Sequence, residues 1–308
     1  MRFVRNKMRV DVEGGPDTGA AWHFGDVARE QRALAAGTAF ADLRHHPILA
    51  VKGEDRITWL HSLTTQYLLD LPAGVWTQAL ILSPHGHVEH QMLITDDGTT
   101  TFLCIEPGTA DSLRAYLDSM RFMLRVEVAD VSEDFALLRV PGAADELGGP
   151  YELVTRETLN ARLEQLREDF TEVGLWALDA ERVAAHRPRL GFDTDHKTIP
   201  NEVGWLGSAV HLNKGCYRGQ ETVARTMNLG RPPRRLVLLH LDGSDASLPE
   251  HGDQVFLGEK AVGFVGTAAR HYELGPIALA LIKRSTPLDS VLTAAGIPAA
   301  QEEIVSAS

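Results

Sequence analysis

Cysteine is nearly absent from this chain. Two residues in 308, Cys104 and Cys216, can supply neither a disulfide framework nor the four thiolates that usually hold an iron–sulfur cluster. Positive charge is short as well. Lys+Arg 30 against Asp+Glu 42 leaves a net charge of -12, which phosphate backbones and anionic bilayers repel, so nucleic-acid and membrane binding are not expected. Long apolar runs are missing: stretches such as 277–282 are far too short to cross a bilayer. The first seven residues, Met1-Arg2-Phe3-Val4-Arg5-Asn6-Lys7, have basic side chains with no apolar run behind them and do not read as a signal peptide. A cytoplasmic protein that carries no cluster of its own is the simplest fit.

At 308 residues the chain exceeds one compact core, which predicts two or three lobes. Residues 1–20 are rich in Gly and Asp without hydrophobic periodicity and read as a loose arm, with order beginning near Trp22. Helices are predicted over 26–36, from an Asp55 cap through Ile57, Leu60 and Leu63, and over 111–122. Strands are predicted over 48–51, 77–82, 88–94, 101–105 and 124–128, with Ser83-Pro84-His85-Gly86 as the turn of a hairpin. A helical pair follows at 156–170 and 178–187. Helices and strands mix without a regular βαβ beat, so the fold class is α+β. The module 21–230 ends where a helix over 220–229 meets Gly230, and Pro232-Pro233 prevents continuation. In 231–308, short strands over 235–241, 254–257, 262–267, 277–282 and 291–293 predict a small antiparallel barrel or sandwich.

What is present centres on Lys214-Gly215-Cys216-Tyr217-Arg218-Gly219-Gln220-Glu221. Lys214 and Arg218 flank Cys216, and a helix follows, all of which favour thiolate over thiol. The opposing interpretation is a small buried hydrophobe, the commonest fate of a free cysteine. Cys104 sits in the apolar run Phe102-Leu103-Cys104-Ile105, where burial should silence it. His85, His87 and His90 beside Glu89 invite a metal. They straddle a turn with no HExxH or CxxC pattern to support them, so no metal site is expected there or at His45-His46.

The octapeptide resembles the K-G-C-Y-x-G-Q-E signature of the YgfZ family, folate-binding proteins related to the aminomethyltransferase (T-protein) of glycine cleavage. His23-Phe24-Gly25-Asp26, the segment 36–43 and Thr198-Ile199-Pro200-Asn201-Glu202 fit that family in order, over about residues 20–290. The resemblance implies two ferredoxin-like-type α+β lobes around a central folate cavity, plus a small C-terminal β-barrel. It implies tetrahydrofolate as cofactor, iron–sulfur client or assembly proteins as partners, and support of iron–sulfur enzyme assembly or repair, with Cys216 as the working thiol aided by Lys214 and Arg218. In the transferase a paired-acid segment sets an aspartate at the reactive folate nitrogen. His90 and Gln91 stand at those positions here, and Glu89 next to them should face the other way on a strand. By the same resemblance Arg182 would reach the ligand, Glu202 would accept pterin N–H groups or hold its loop, and Trp205 would stack on a ring or pack in the core. A true one-carbon transferase and a non-catalytic folate-sensing adaptor are the alternatives.

Overall fold

The computed structural model describes residues 8–230, 232–244 and 247–306. In chain order the first half comprises β1 (Val10–Asp11), β2 (Ala21–His23), α1 (Val27–Ala35), β3 (Ala39–Asp42), β4 (Ile48–Lys52), α2 (Arg56–Leu63), β5 (Thr77–Leu82), β6 (Val88–Asp96), β7 (Thr100–Ile105), α3 (Ala110–Ser119), β8 (Glu127–Asp130) and β9 (Phe135–Arg139). Then follow β10 (Tyr151–Thr155), α4 (Arg156–Asp169), β11 (Thr171–Glu172), α5 (Leu175–Ala184), a 3-10 turn (Pro200–Glu202) and α6 (Gln220–Leu229). The last strands are β12 (Arg234–Leu241), β13 (Gln254–Leu257), β14 (Lys260–His271), β15 (Gly275–Lys283), β16 (Leu292–Ala294) and β17 (Ile297–Glu303).

Two sheets form the first two layers. One is five-stranded and antiparallel, in the order β5-β6-β7-β4-β8; the other is four-stranded, in the order β10-β9-β3-β11, with only the β11–β3 pair parallel. Side chains alternate along a strand. Ala79, Ile81, Met92, Ile94, Leu103 and Ile105 accordingly turn one way and pack on Trp59, Leu60 and Leu63 of α2 and Leu113 and Leu117 of α3. On the other sheet Phe40, Ala136, Leu138 and Val154 meet Leu159, Leu163 and Leu166, a stripe at helical spacing on α4. The two inner faces look toward each other, with Leu43, Ala50, Phe102, Cys104 and Leu137 in one shared cluster.

Six strands in the order β12-β15-β14-β13-β16-β17 close a C-terminal barrel. Its interior is Val237, Leu239, Val255, Val265, Ala280 and their neighbours, while Leu236, Leu238, Ile277 and Leu279 face outward onto Trp205, Val210, Ala180 and Val183. The alternation along β12 thus serves two cores, which is why this strand reads as a continuous apolar run. The architecture is mixed α and β with a closed barrel.

From Val10 onward the expected loose arm is instead held to the fold. Residues 1–7 lie outside the described residues, but β1 pairs with β2, and Asp17 is 8% exposed with both carboxylate oxygens held by Arg189 at 2.6 and 2.7 Å. A long-range ion pair thus holds Asp17, while Glu13 and Thr18 beside it stay exposed. Asp55 precedes α2 but does not cap it. Its carboxylate takes the backbone and side chain of Arg125, and the strand predicted at 124–128 begins later, at Glu127.

Candidate functional site

A cavity of about 580 Å³ opens between the inner faces of the two sheets, closed from the side by α5 and by the loops 185–189 and 204–208. Gln78, Gln91, Leu93 and Cys104 come from the five-stranded sheet, and Leu43, Leu137, Arg139 and Tyr151 from the other. The walls combine aliphatic side chains with many polar and charged ones, four arginines among them.

The polar groups are held in place by one another. Gln91 Nε2 lies 3.4 Å from Gln78 Oε1, and its own Oε1 accepts from the Leu190 amide at 3.2 Å. Arg189 donates to Glu106 at 2.6 Å and to Asp17. Burial pushes the Glu106 pKa up, and Arg189 only partly offsets it, so this carboxyl is poised to take a proton more readily than an ordinary glutamate. Burial also raises Asp17, but hydrogen bonds from His45 and Arg189 outweigh it, and this carboxylate stays ionised. His46 places Nδ1 3.0 Å from the Ile105 carbonyl. Burial foremost, then the charges of His45 and Arg189, lowers its pKa to about 3, so the ring is neutral with Nδ1–H as donor.

Among the described residues, Asp17, His45 and His46 bring three potential metal ligands within 4.8 Å of one another. Arg189 occupies both Asp17 oxygens there, a cation where a metal would sit. The His85, His87 and His90 group is split between a turn and a strand, as expected from the sequence.

The residues singled out from sequence divide sharply. Gln91 and Trp205 line the cavity, and Trp205 at 3% exposure is also core. His90 does not. Strand alternation turns it to the opposite face of β6, where its ring lies 6.5 Å from that of Tyr116, its buried Nδ1 has no partner among the described residues, and burial lowers its pKa to about 4. Glu89, expected to face away, is the extra residue of a bulge in β6: Val88 pairs with Leu82 and His90 with Ile81, and the Glu89 carboxylate reaches out to Arg218 at 3.3 Å, whose guanidinium lies over Tyr116, the ring beside His90.

Arg182 reaches the cavity wall with four of its five N–H donors engaged. They go to Asp179 at 2.7 Å, Asp193 at 2.6 Å, the Arg187 carbonyl at 3.2 Å and Thr267 of β14. It clamps α5 to the barrel. Glu202 is off the cavity wall: its carboxylate, 1% exposed, accepts from Arg234 of β12 at 2.9 and 2.8 Å and from the Ile199 amide at 3.1 Å. Its role is to hold the proline loop against the barrel.

The cysteine octapeptide lies away from the cavity wall, packed on the β5–β6 hairpin. Gly219 caps α6 at φ 81, and a Cβ there would sit 2.6 Å from the Ser83 carbonyl oxygen. The glycine is required by this close backbone contact as well as by its left-handed conformation. Lys214 is buried, with its ammonium against the carbonyls of His61, Thr64 and Gln66 at the end of α2, and burial lowers its pKa to about 8. Arg218 pairs with Glu89 and lies 5.4 Å from the Tyr116 ring centre. Both cations are therefore engaged elsewhere than at the sulfur, while Cys216 itself is exposed and Cys104 buried.

Sequence reasoning missed Glu106, Arg139, Arg187 and Arg189. For Glu106 a signal existed: it follows Cys104 by two on the same strand course, so it faces the same way. Continuing the register Met92↔Ile105 sets it beside Gln91 on the adjacent strand.

Comparison with known proteins places these features in context. Residues 12–147 match the GCVT N-terminal domain. A chloroplastic protein of Arabidopsis thaliana described as a transferase is 24% identical over 82% of this chain and 67% of its own. The aminomethyltransferases of Geobacillus kaustophilus and Bacillus subtilis are 27% and 24% identical, over 84% and 85% of this chain and 83% and 84% of theirs. The crystal structure of glycine cleavage system aminomethyltransferase T from Bartonella henselae superposes with a TM-score of 0.80 at 16% identity, covering 96% of this chain and 93% of that one. The two share a fold. Among the described residues, no helix is long and apolar enough to cross a membrane.

Proposed function

We propose that this protein binds a reduced folate, tetrahydrofolate or a close relative, in the cavity between its two sheets, and that it supports the assembly or repair of iron–sulfur enzymes in the cytoplasm. The cavity carries the first half. Leu43, Leu93 and Leu137 offer aliphatic surface from both sheets to a flat heterocycle, and the paired amides of Gln78 and Gln91 offer a donor and an acceptor to the amide-like edge of a pterin. The relatives named aminomethyltransferase lend the same reading support.

The second half rests on the resemblance of the octapeptide to the YgfZ signature. Exposure of Cys216, away from the cavity wall, favours a thiol that meets a partner protein over one that attacks a bound folate. Calorimetric titration with tetrahydrofolate tests binding, and absence of heat at millimolar ligand would refute it. In a deletion strain, cluster-dependent enzymes should lose activity and regain it with the wild-type gene but not with Cys216→Ala. Full rescue by the alanine variant would reduce the protein to a folate-sensing adaptor.

One observation favours a second reading, one-carbon transfer. Glu106 restores a cavity carboxyl next to Gln91, with a pKa raised by burial. Glycine-cleavage turnover that disappears in Glu106→Gln would establish it, and no turnover by the wild-type protein would dismiss it.

A further inference from the structure

Four arginines reach the cavity wall, and three of them are neutralised by carboxylates. Arg182 has Asp179 and Asp193, Arg189 has Asp17 and Glu106, and Arg187 has Glu181. Arg139 differs. It is 1% exposed and, among the described residues, bonds no carboxylate: its donors go to the carbonyls of Gly148 at 3.1 Å, Val140 at 3.2 Å and Gly142 at 3.4 Å. Burial lowers its pKa, and the charge of Glu181, already held by Arg187, offsets this only in part.

A buried cation without a counter-charge is costly, and carbonyl dipoles compensate it incompletely. Arg187 brings a second guanidinium to the same loop, with Glu181 and Asp145 as the nearby carboxylates. Arg139 pairs across the sheet with Tyr151, whose hydroxyl braces the loop by donating to the Leu147 carbonyl at 3.0 Å. Gly148 has φ 85, and a Cβ there would lie 3.2 Å from the Tyr151 hydroxyl and 3.3 Å from Arg187 Nε. Only a glycine lets both side chains close on the main chain whose carbonyl Arg139 holds. Arg187 spends Nη2 on Glu181, and among the described residues its Nε and Nη1 make no further bond.

We propose that Arg139 and Arg187 form an anion subsite that takes a carboxylate of the bound ligand. Resting on the folate reading, this assigns the ligand's direction. Its pterin edge meets Gln78 and Gln91 on one sheet, and its glutamate tail meets the guanidinium pair on the other. A planar fork suits a carboxylate, and the ligand supplies the charge that Arg139 lacks.

The test is calorimetric, with three probes: tetrahydrofolate, 6-methyltetrahydropterin, which has no tail, and para-aminobenzoylglutamate, which has no pterin. Arg139→Met and Arg187→Met should weaken the two tailed probes by about tenfold or more and leave the tail-less pterin unchanged. Equal weakening of all three, or of none, overturns the subsite. The unaltered protein gives an independent check that folding defects cannot disturb: the tail diester of tetrahydrofolate should bind about tenfold more weakly than the diacid. Equal affinity of the two overturns the subsite while leaving folate binding intact. Capture of para-aminobenzoylglutamate but of neither pterin nor folate keeps the subsite and ends the folate reading. Wild-type protein that binds none of the probes ends both.

Discussion

Replacing Glu202 by Gln separates a structural from a ligand-binding role for the proline loop. In the native protein its carboxylate receives two N–H bonds from Arg234, at 2.9 and 2.8 Å, and is 1% exposed. Gln keeps the shape and one oxygen for the Ile199 amide but turns an NH₂ toward the guanidinium. Removing one partner of a buried ion pair costs about 3–5 kcal/mol. Asp195 stays on Arg234 at 2.7 and 3.0 Å, which places the expected loss at the lower end, about 3 kcal/mol. An unfolding entropy near 2.1 cal/mol/K per residue gives about 0.65 kcal/mol/K for 308 residues, so Tm should fall by about 4–5 °C. Scanning calorimetry measures this, followed by a tetrahydrofolate titration at a temperature where the variant is folded. The reasoning requires a lower Tm with unchanged affinity. An unchanged Tm with folate binding reduced tenfold would refute it and return Glu202 to the ligand.

Brief alkylation at neutral pH followed by peptide mapping should label Cys216 well ahead of Cys104, which is 3% exposed and whose thiol burial pushes up to about 12; equal labelling would contradict the placement of both. His90 has a pKa lowered by burial to about 4, so between pH 4 and 6.5 the unfolded chain binds more protons and acidification destabilises the fold. Between pH 6.5 and 5 this one group should remove about 1.5 kcal/mol, measured by urea unfolding, and His90→Phe should flatten that part of the profile; an equally steep profile in the variant would place the loss elsewhere.

Local pattern sufficed for much of the scaffold. The strand at Thr77–Leu82, the helix at Gln220–Leu229 and the strand at Gln254–Leu257 fall where apolar periodicity and flanking turn residues put them. Gly230 does end α6, in left-handed conformation. Strands β9 and β10 escaped notice, since Tyr151–Thr155 is only half-buried and gains its place by pairing with Phe135–Arg139 across a loop. Strand β17 also escaped: Ile297–Glu303 runs from apolar and small residues into three polar ones without alternation, and is specified by its neighbours β12 and β16 in the barrel.

The site was less legible than the scaffold because a motif gives residue types, whereas a cavity wall is set by pairing between strands far apart in sequence. His90 and Gln91 are adjacent in the chain, yet strand geometry puts them on opposite faces, and only one can touch a ligand. The residue that stands beside Gln91 is Glu106, delivered by the β6–β7 register. Arginines show the same separation of type from role. Arg182, Arg187 and Arg189 lie within one short stretch of chain but differ in what neutralises them: Asp179 and Asp193, Glu181, and Asp17 with Glu106. Asp17 and Glu106 come from distant segments that no local pattern connects to Arg189. Whether a guanidinium is a brace or a binding group depends on the carboxylates the fold brings to it. By that criterion Arg139, which among the described residues bonds no carboxylate, is the wall group we assign to a ligand's charge.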